Sequence, residues 1–349
     1  MEQDSLPPHD ALLLVSFGGP DRPADVIPFL ENVLRGKPVP SERMHEVAEH
    51  YYHFGGRSPL NEQNLALMAA LQARLEAAGP KLPLYWGNRN WHPLLPDTLR
   101  QMADEGVRRA LAFVTSAYSS YSGCRQYLEN VAVAQAAVGP RAPRVEKLRM
   151  FYNHPLFIGA TADRVRAALD QVPHDRRPAA RLIFTAHSIP QAMADHCRYQ
   201  EQLGETCRLV VESLGGGDWR LVYQSRSGPP TQPWLGPDIL DELRRQAAEG
   251  ARDVVVSPVG FLSDHLEVLY DLDTEARQLC EELGLNMVRA ATVGTHPRYV
   301  EMIRELILER VSPGTPRRAL GLYGPSHDDC PADCCLSGQT KRFNHESHE

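Results

Sequence analysis

Short apolar runs that stop at a turn and give way to a segment of helical period recur along the whole chain. The first, Ala11-Leu12-Leu13-Leu14-Val15-Ser16, is halted by Phe17-Gly18-Gly19-Pro20, and Asp21-Arg22-Pro23 then opens a helix through Asn32-Val33-Leu34. A run with no polar alternation reads as a strand buried on both faces, as in a parallel sheet. Leu82–Trp86, Arg109–Val114, Val145–Phe151, Ala180–Ala186, Trp219–Ser225, Asp253–Val256 and Asn286–Ala291 repeat the pattern. Helical spacing appears near Glu42–Tyr52, Gln63–Ala78, Leu95–Gly106 and Pro297–Leu308. Strand, loop and helix in alternation predict an α/β fold with parallel sheets flanked by helices. A chain of 349 residues, 42% of them apolar, exceeds what one core usually serves. Two lobes are therefore expected, 1–145 and 146–311, divided near Gly139-Pro140-Arg141-Ala142-Pro143. From Ser312 the apolar period is lost, so 312–349 reads as a tail that is poorly ordered unless something binds it.

The balance of residues excludes several classes. A net charge of -7 without clustered Lys and Arg argues against a nucleic-acid partner. No run of about 20 apolar residues marks a membrane span, and the start, Met1 to Pro8, lacks a basic and then apolar leader; a cytoplasmic protein is expected. Seven cysteines in such a chain are thiols or metal ligands rather than disulfides. Gly18 and Gly19 could approach a phosphate, but no Gly-x-Gly-x-x-Gly spacing is present there.

Chemistry-bearing residues concentrate where strands end. A helix from about Asp264 places Glu267, Asp271 and Glu275 at i, i+4 and i+8, stepping roughly 6 Å at a time and drifting about 40° sideways per step. Like charges in a row repel, so the stripe is either a solvated face or a track for a cation; His265 adds a nitrogen at its start. Ala180–Ala186 delivers His187-Ser188-Ile189-Pro190 at its carboxyl end, the rim of the ligand crevice in open α/β sheets. Arg35, Lys37 and Arg57 in loops, and Arg43 at the start of the helix between them, are suited to carboxylates of an anionic ligand. Tyr118, Tyr121, Cys124 and Tyr127 form either a surface for a flat aromatic ligand or a structural aromatic cluster. The proline-rich loop Gly228–Pro237 reads as a shaped wall rather than a lid. Cys330, Cys334 and Cys335 would need a fourth ligand from elsewhere for an iron-sulfur cluster, with zinc the rival and free thiols the third option.

Leu14-Val15-Ser16-Phe17-Gly18-Gly19-Pro20, Gly56-Arg57-Ser58-Pro59, Asn88-Arg89-Asn90-Trp91-His92-Pro93, Thr185-Ala186-His187-Ser188-Ile189-Pro190, Gln224-Ser225-Arg226-Ser227-Gly228-Pro229, Trp234-Leu235-Gly236-Pro237 and Ser263-Asp264-His265-Leu266-Glu267, in this order, resemble the ferrochelatase family over residues 10 to 310. The resemblance implies two similar Rossmann-like lobes of the chelatase fold, with Fe²⁺ inserted into a porphyrin in the cleft between them. It implies that His187 binds metal and abstracts protons, that Glu267 faces it across the macrocycle, and that Asp271 and Glu275 mark an acidic path whose helix can carry a π-type distortion. Phe17 stands where many bacterial members place a metal-ligating tyrosine; Ser58 and Tyr127 match porphyrin contacts and Arg35 a propionate partner. Cys124 matches the internal cysteine of cluster-bearing members, making Cys124, Cys330, Cys334 and Cys335 a [2Fe-2S] set, although the Cys-x3-Cys-Cys tail departs from the usual spacing. The Ser-Phe-Gly-Gly-Pro and Tyr-Ser-Gly-Cys versions are similar to the coproporphyrin-using branch, so coproporphyrin III is expected ahead of protoporphyrin IX, with hand-over of the product to a later enzyme of heme synthesis. A changed metal or macrocycle, or a porphyrin or metal carrier without turnover, is the competing reading.

Overall fold

Eight strands form among the residues that the computed structural model describes, namely 8–36, 39–229 and 231–338. In chain order they are β1 (Ala11–Ser16), β2 (Leu84–Asn88), β3 (Arg109–Val114), β4 (Arg144–Lys147), β5 (Arg181–His187), β6 (Trp219–Gln224), β7 (Asp253–Ser257) and β8 (Asn286–Arg289). They pair in parallel as two four-stranded sheets, ordered β2-β1-β3-β4 and β6-β5-β7-β8. β1 and β7 are buried along their entire lengths, which accounts for their unbroken apolar sequence. The strand expected over Val145–Phe151 stops at Lys147, and the ladder closes with Leu148 N donating to Ala112 O at 2.9 Å. Arg149 then turns inward to a bidentate pair with Glu309 (2.7 and 2.8 Å), which pulls the backbone out of the sheet.

Twelve α-helices clothe the sheets: α1 (Val26–Leu34), α2 (Ser41–His53), α3 (Leu60–Ala78), α4 (Leu95–Asp104), α5 (Gln126–Val138), α6 (Pro155–Leu169), α7 (Gln191–Ala194), α8 (Tyr199–Ser213), α9 (Ile239–Ala248), α10 (Leu266–Tyr270), α11 (Arg277–Leu283) and α12 (Pro297–Val311), counted among the described residues. Two π turns interrupt them. Tyr121–Arg125 leads into α5, and Asp271–Ala276 joins α10 to α11. No helix among the described residues is long and apolar enough to cross a membrane.

The two halves repeat one another in register. Leu12 of β1 sits between Leu84 and Leu111, as Leu182 of β5 sits between Trp219 and Val255. The helix that follows the last strand of each sheet begins His-Pro, and the cap histidine accepts from the backbone N–H two residues on: His154 from Leu156 and His296 from Arg298, both at 3.2 Å. Their other nitrogens cross over. His154 Nε2 lies 3.2 Å from Glu305 on α12, and His296 Nε2 lies 3.5 Å from Asp163 on α6. α6 packs on β7, β8 and α8 of the second half, whereas α12 packs on α3 of the first. Arg304 fastens that contact by donating to Gly79 O at 2.6 Å, and Arg74 meets Glu301 at 2.5 Å. One apolar cluster consequently runs through both halves, from Leu12 and Phe113 to Phe184 and Val255.

The tail forms no helix or strand from Ser312 to Gly338, and it lies against the body. Asn153 exchanges hydrogen bonds with Leu320 and donates to Gly324 O at 2.8 Å, and Leu322 N donates to Glu205 at 2.9 Å. Arg125 reaches Ala332 O and Cys334 O at 2.6 and 3.0 Å. Arg198 lies over the Tyr323 ring at 4.5 Å.

Candidate active site

His187 is the last residue of β5, level with Gln224 on β6. The segment Ser188–Gln191 just beyond it is held by the proline-rich loop: Ser188 Oγ donates to Leu235 O (2.7 Å), Leu235 N to Ile189 O (3.0 Å) and Gln191 N to Pro233 O (2.9 Å). The loop is thus a fixed wall, and Tyr199 steadies the strand end by donating to His187 O at 3.0 Å. His187 Nδ1 lies 2.5 Å from Ser188 O. A carbonyl can only accept, so Nδ1 carries a proton and Nε2 is the nitrogen that can present a lone pair. Nε2 points at Glu267 Oε2, 3.6 Å away.

Glu267 is placed by the start of α10, where the His265 ring accepts from Glu267 N at 3.2 Å. Gln224 Nε2 ties that turn down by donating to Glu267 O and to Asp271 Oδ2, each at 3.2 Å. The expectation that His187 and Glu267 face each other across a macrocycle is corrected here. Atoms 3.6 Å apart leave no van der Waals room for a flat ring between them, so both groups reach the cleft from one side. Their side chains are 33% and 46% exposed, open to whatever enters.

Burial works against charge on both groups, and their mutual attraction outweighs it. The imidazole pKa rises to about 9 and the carboxylate falls to about 2, so the two groups form an imidazolium-carboxylate pair. Asp271 shows the opposite balance. Burial, then Glu267 and Glu275, push it up to about 7, against hydrogen bonds from Ser225 and Gln224 that hold it down. Glu275, raised by burial and by Asp238, is exposed at the far end of the row. Glu267 and Asp271 belong to α-helical spacing, but Asp271 and Glu275 lie within the π turn, whose wider coil reverses the sideways drift.

The first lobe brings Phe17, just beyond β1, against Phe29, with ring centroids 6.2 Å apart. Arg89 spans 5.6 Å to the Phe17 ring and 4.6 Å to that of Tyr127. Tyr127 and Ser58 are buried, the first beneath Arg89 and the second against Gly19, with Ser58 Oγ accepting from Leu60 N at 3.3 Å. Arg35 is exposed and donates to Asn32, while Arg43 and Arg57 pair with Glu46 and Glu62; Lys37 lies outside the described residues. Tyr118 belongs to the core and donates to Val259 O at 3.0 Å.

Cysteines from two regions converge on a separate cavity of about 270 Å³, lined by Cys124, Arg125, Cys330, Cys334 and Cys335 among others. Cys124 comes from the π turn Tyr121–Arg125 and lies within hydrogen-bonding range of Cys330 and Cys335. Cys334 and Cys335 sulfurs are 3.5 Å apart, and ligand atoms of His327, Cys330 and Cys334 fall within 4.8 Å of one another. All seven cysteines are free, and Cys207 and Cys280 sit in the core. Four thiols facing one cavity suit a soft metal or an iron-sulfur centre.

The family profile described as Ferrochelatase matches residues 9–311. The chain belongs to the ferrochelatase family. It is 59% identical over 333 residues to a ferrochelatase of Rhodopirellula baltica, covering 95% of this chain and 94% of that one. It is 51% identical over 350 residues to a coproporphyrin III ferrochelatase of Streptomyces griseus, covering 94% and 93%. Among solved structures, SirB of Bacillus subtilis with Fe³⁺ shares the fold at a TM-score of 0.54 and 10% identity, over 87% of this chain and 96% of that one. This ferrochelatase-family chain is accordingly a lyase of the class that inserts metal into porphyrin, on the two-sheet chelatase fold expected of it. Sequence reasoning missed several groups around its cleft. Tyr51 of α2 has its phenol pushed up by burial and by the Glu267 charge, and His50 stacks on Tyr270 at 3.8 Å. Both lie on a helix whose polar sequence gave no sign of facing a site.

Proposed function

We propose that the protein inserts Fe²⁺ into coproporphyrin III, giving Fe-coproporphyrin III, with His187 and Glu267 as the metal-binding and proton-accepting groups. The observation that carries this reading is the His187–Glu267 pair, 3.6 Å apart at a strand's carboxyl end, from which Asp271 and Glu275 lead away. Fe²⁺ reaching Glu267 competes with the imidazolium for that carboxylate. His187 then gives up its Nε2 proton to water, and the neutral nitrogen becomes available to the metal or to a pyrrole proton. Glu267 serves the second of the two protons that the porphyrin must lose. Asp271 and Glu275 relay the cation, Phe17 lines the wall with Ser58 and Tyr127 buried behind it as supports rather than contacts, and Arg35 meets a carboxylate of the substrate.

Coproporphyrin III, with four carboxylates, is favoured over protoporphyrin IX by a polar mouth that carries the exposed Arg35. α2 buries only Ala48. A helix of this kind is a poor membrane lip, which fits a cytoplasmic enzyme that hands its product to a later step of heme synthesis. Relatives named coproporphyrin III ferrochelatase support the same substrate. Cys124, Cys330, Cys334 and Cys335 are assigned to a [2Fe-2S] cluster, for which the convergence of four thiols on one cavity is the structural support. When bound, such a cluster supplies one-electron redox chemistry and a cross-link between tail and body.

Anaerobic incubation with Fe²⁺ and each porphyrin, followed by absorbance, tests the reading. Coproporphyrin III is expected to be consumed in excess over enzyme and faster than protoporphyrin IX. A spectral shift that stops at one equivalent would mark a carrier instead. His187→Ala is expected to lower turnover at least about a hundredfold with unchanged thermal unfolding; near-normal insertion by that variant rejects the assignment.

A further inference from the structure

The turn that carries Glu267 belongs to the second half of the chain, yet it is gripped from the first. Gln63, in the opening turn of α3, lays its carboxamide against the backbone of Asp264: Nε2 donates to Asp264 O at 2.7 Å, and Asp264 N donates to Oε1 at 2.9 Å. Two reciprocal hydrogen bonds fix direction as well as distance, as a strand does for its neighbour. Both ends of the tie are themselves anchored. In the first half, Ser58 N donates to Pro20 O, Asn61 Nδ2 to Gly19 O and Asn64 Nδ2 to Ser16 Oγ, each at 2.8 Å, so the start of α3 is one body with the turn that presents Phe17. In the second, the Asp264 carboxylate accepts from Arg289 at 2.9 Å, and the same guanidinium donates to Asp273 of the π turn at 2.6 Å. Gln63 uses only the backbone of Asp264, which leaves the side chain to Arg289. His265, the next residue, caps the turn through Glu267 N.

His187, Glu267, Asp271 and Glu275 all lie in the second half, whereas Phe17 and Arg35 lie in the first. The two reactants are thus received by different halves, and their meeting depends on how those halves are registered. We propose that Gln63 is a positioning residue: it holds the Glu267 turn at a fixed offset from the Phe17 wall, and so sets the metal-binding pair against the macrocycle lying between them. The inference rests on the metal-insertion reading above. It adds an uncharged residue from the opposite half that touches neither member of the pair. Without the tie, Fe²⁺ keeps its whole set of ligands, but metal and pyrrole nitrogens meet out of register. The penalty then falls on the chemical step rather than on metal binding.

Gln63→Met keeps the length of the side chain and removes both hydrogen bonds, while Gln63→Glu keeps the acceptor for Asp264 N and loses the donor. The full-length variants and wild type are compared in anaerobic steady-state kinetics with Fe²⁺ and coproporphyrin III varied in turn, and in thermal unfolding. Gln63→Met is expected to lower kcat at least about tenfold, with KM for Fe²⁺ within about twofold of wild type and an unchanged unfolding temperature; Gln63→Glu is expected to fall between the two. Amide hydrogen exchange reads the tie without turnover: peptides spanning Asp264 are expected to exchange at least about tenfold faster in Gln63→Met, and those of β5 at the wild-type rate. Unchanged kcat, a raised KM for Fe²⁺ alone, or a lowered unfolding temperature with full activity per folded molecule would each overturn the positioning role. Unchanged exchange at Asp264 would overturn the tie itself. Wild type that metallates no porphyrin removes the metal-insertion reading, and this inference with it.

Discussion

Ser225 comes directly after β6 with φ at 60°, a left-handed backbone that a residue with a Cβ adopts at a cost of about 1 kcal/mol. The turn aims its hydroxyl at Asp271, where it opposes the burial that leaves this carboxyl with a pKa of about 7. Ser225→Gly should therefore separate the two effects: stability unchanged or higher by up to about 1 kcal/mol, and kcat/KM for Fe²⁺ lower by about tenfold at pH 7. Loss of the donor raises the Asp271 pKa further, so the acid limb of the pH-rate profile is expected to move to higher pH. Ser225→Ala, which keeps the strained backbone, should show the same kinetic loss without the gain in stability. At this scale the chain was partly legible. His187 and Glu267 stand out because a strand end and a charged row are local patterns. That both approach from one side is a tertiary fact, set by Gln224 and the cap at His265, and no spacing carries it.

Elements were legible wherever one physical signal dominated. β1 and β7 are wholly buried and read as apolar runs. α8 and α9 escaped because polar residues occupy their inner faces and blur the apolar period: Gln202, Glu205 and Thr206 in the one, Glu242 and Gln246 in the other, all of them held by side-chain hydrogen bonds. The π turn at Asp271–Ala276 has no sequence signature, yet it decides where Glu275 sits. Thr274 Oγ1 donates to Leu269 O at 3.2 Å, five residues back, inside that wider coil. Glu275→Gln removes the charge at the end of that row without disturbing the turn. The expected outcome is a KM for Fe²⁺ raised at least about tenfold with porphyrin binding unchanged; steady-state kinetics with each substrate varied in turn would check it.

For the molecule as a whole, the cap histidines tie stability to pH. His154 is fully buried, and burial, then the charges of Arg149 and Arg318, depress its pKa to about 3. The unfolded imidazole titrates near 6.5, so between pH 6.5 and 3 the unfolded chain binds a proton that the folded chain refuses. Stability conferred by this group is complete above pH 6.5 and falls on acidification by up to about 1.4 kcal/mol per pH unit. His154→Asn keeps a cap acceptor for Leu156 N without the titration. Denaturant unfolding at a series of pH values is expected to show a shallower acid slope for that variant, and identical slopes would remove the account.

The crossed terminal helices also bear on how the chain comes into being. α3, made early, has its covering surface supplied by α12, made nearly last, while α6 of the first half rests on strands of the second. A growing polypeptide emerging from the ribosome cannot complete its first lobe until residues near 311 are free. Neither half is then an autonomous folding unit, and a nascent chain stalled between them stays open to proteases and chaperones until synthesis resumes.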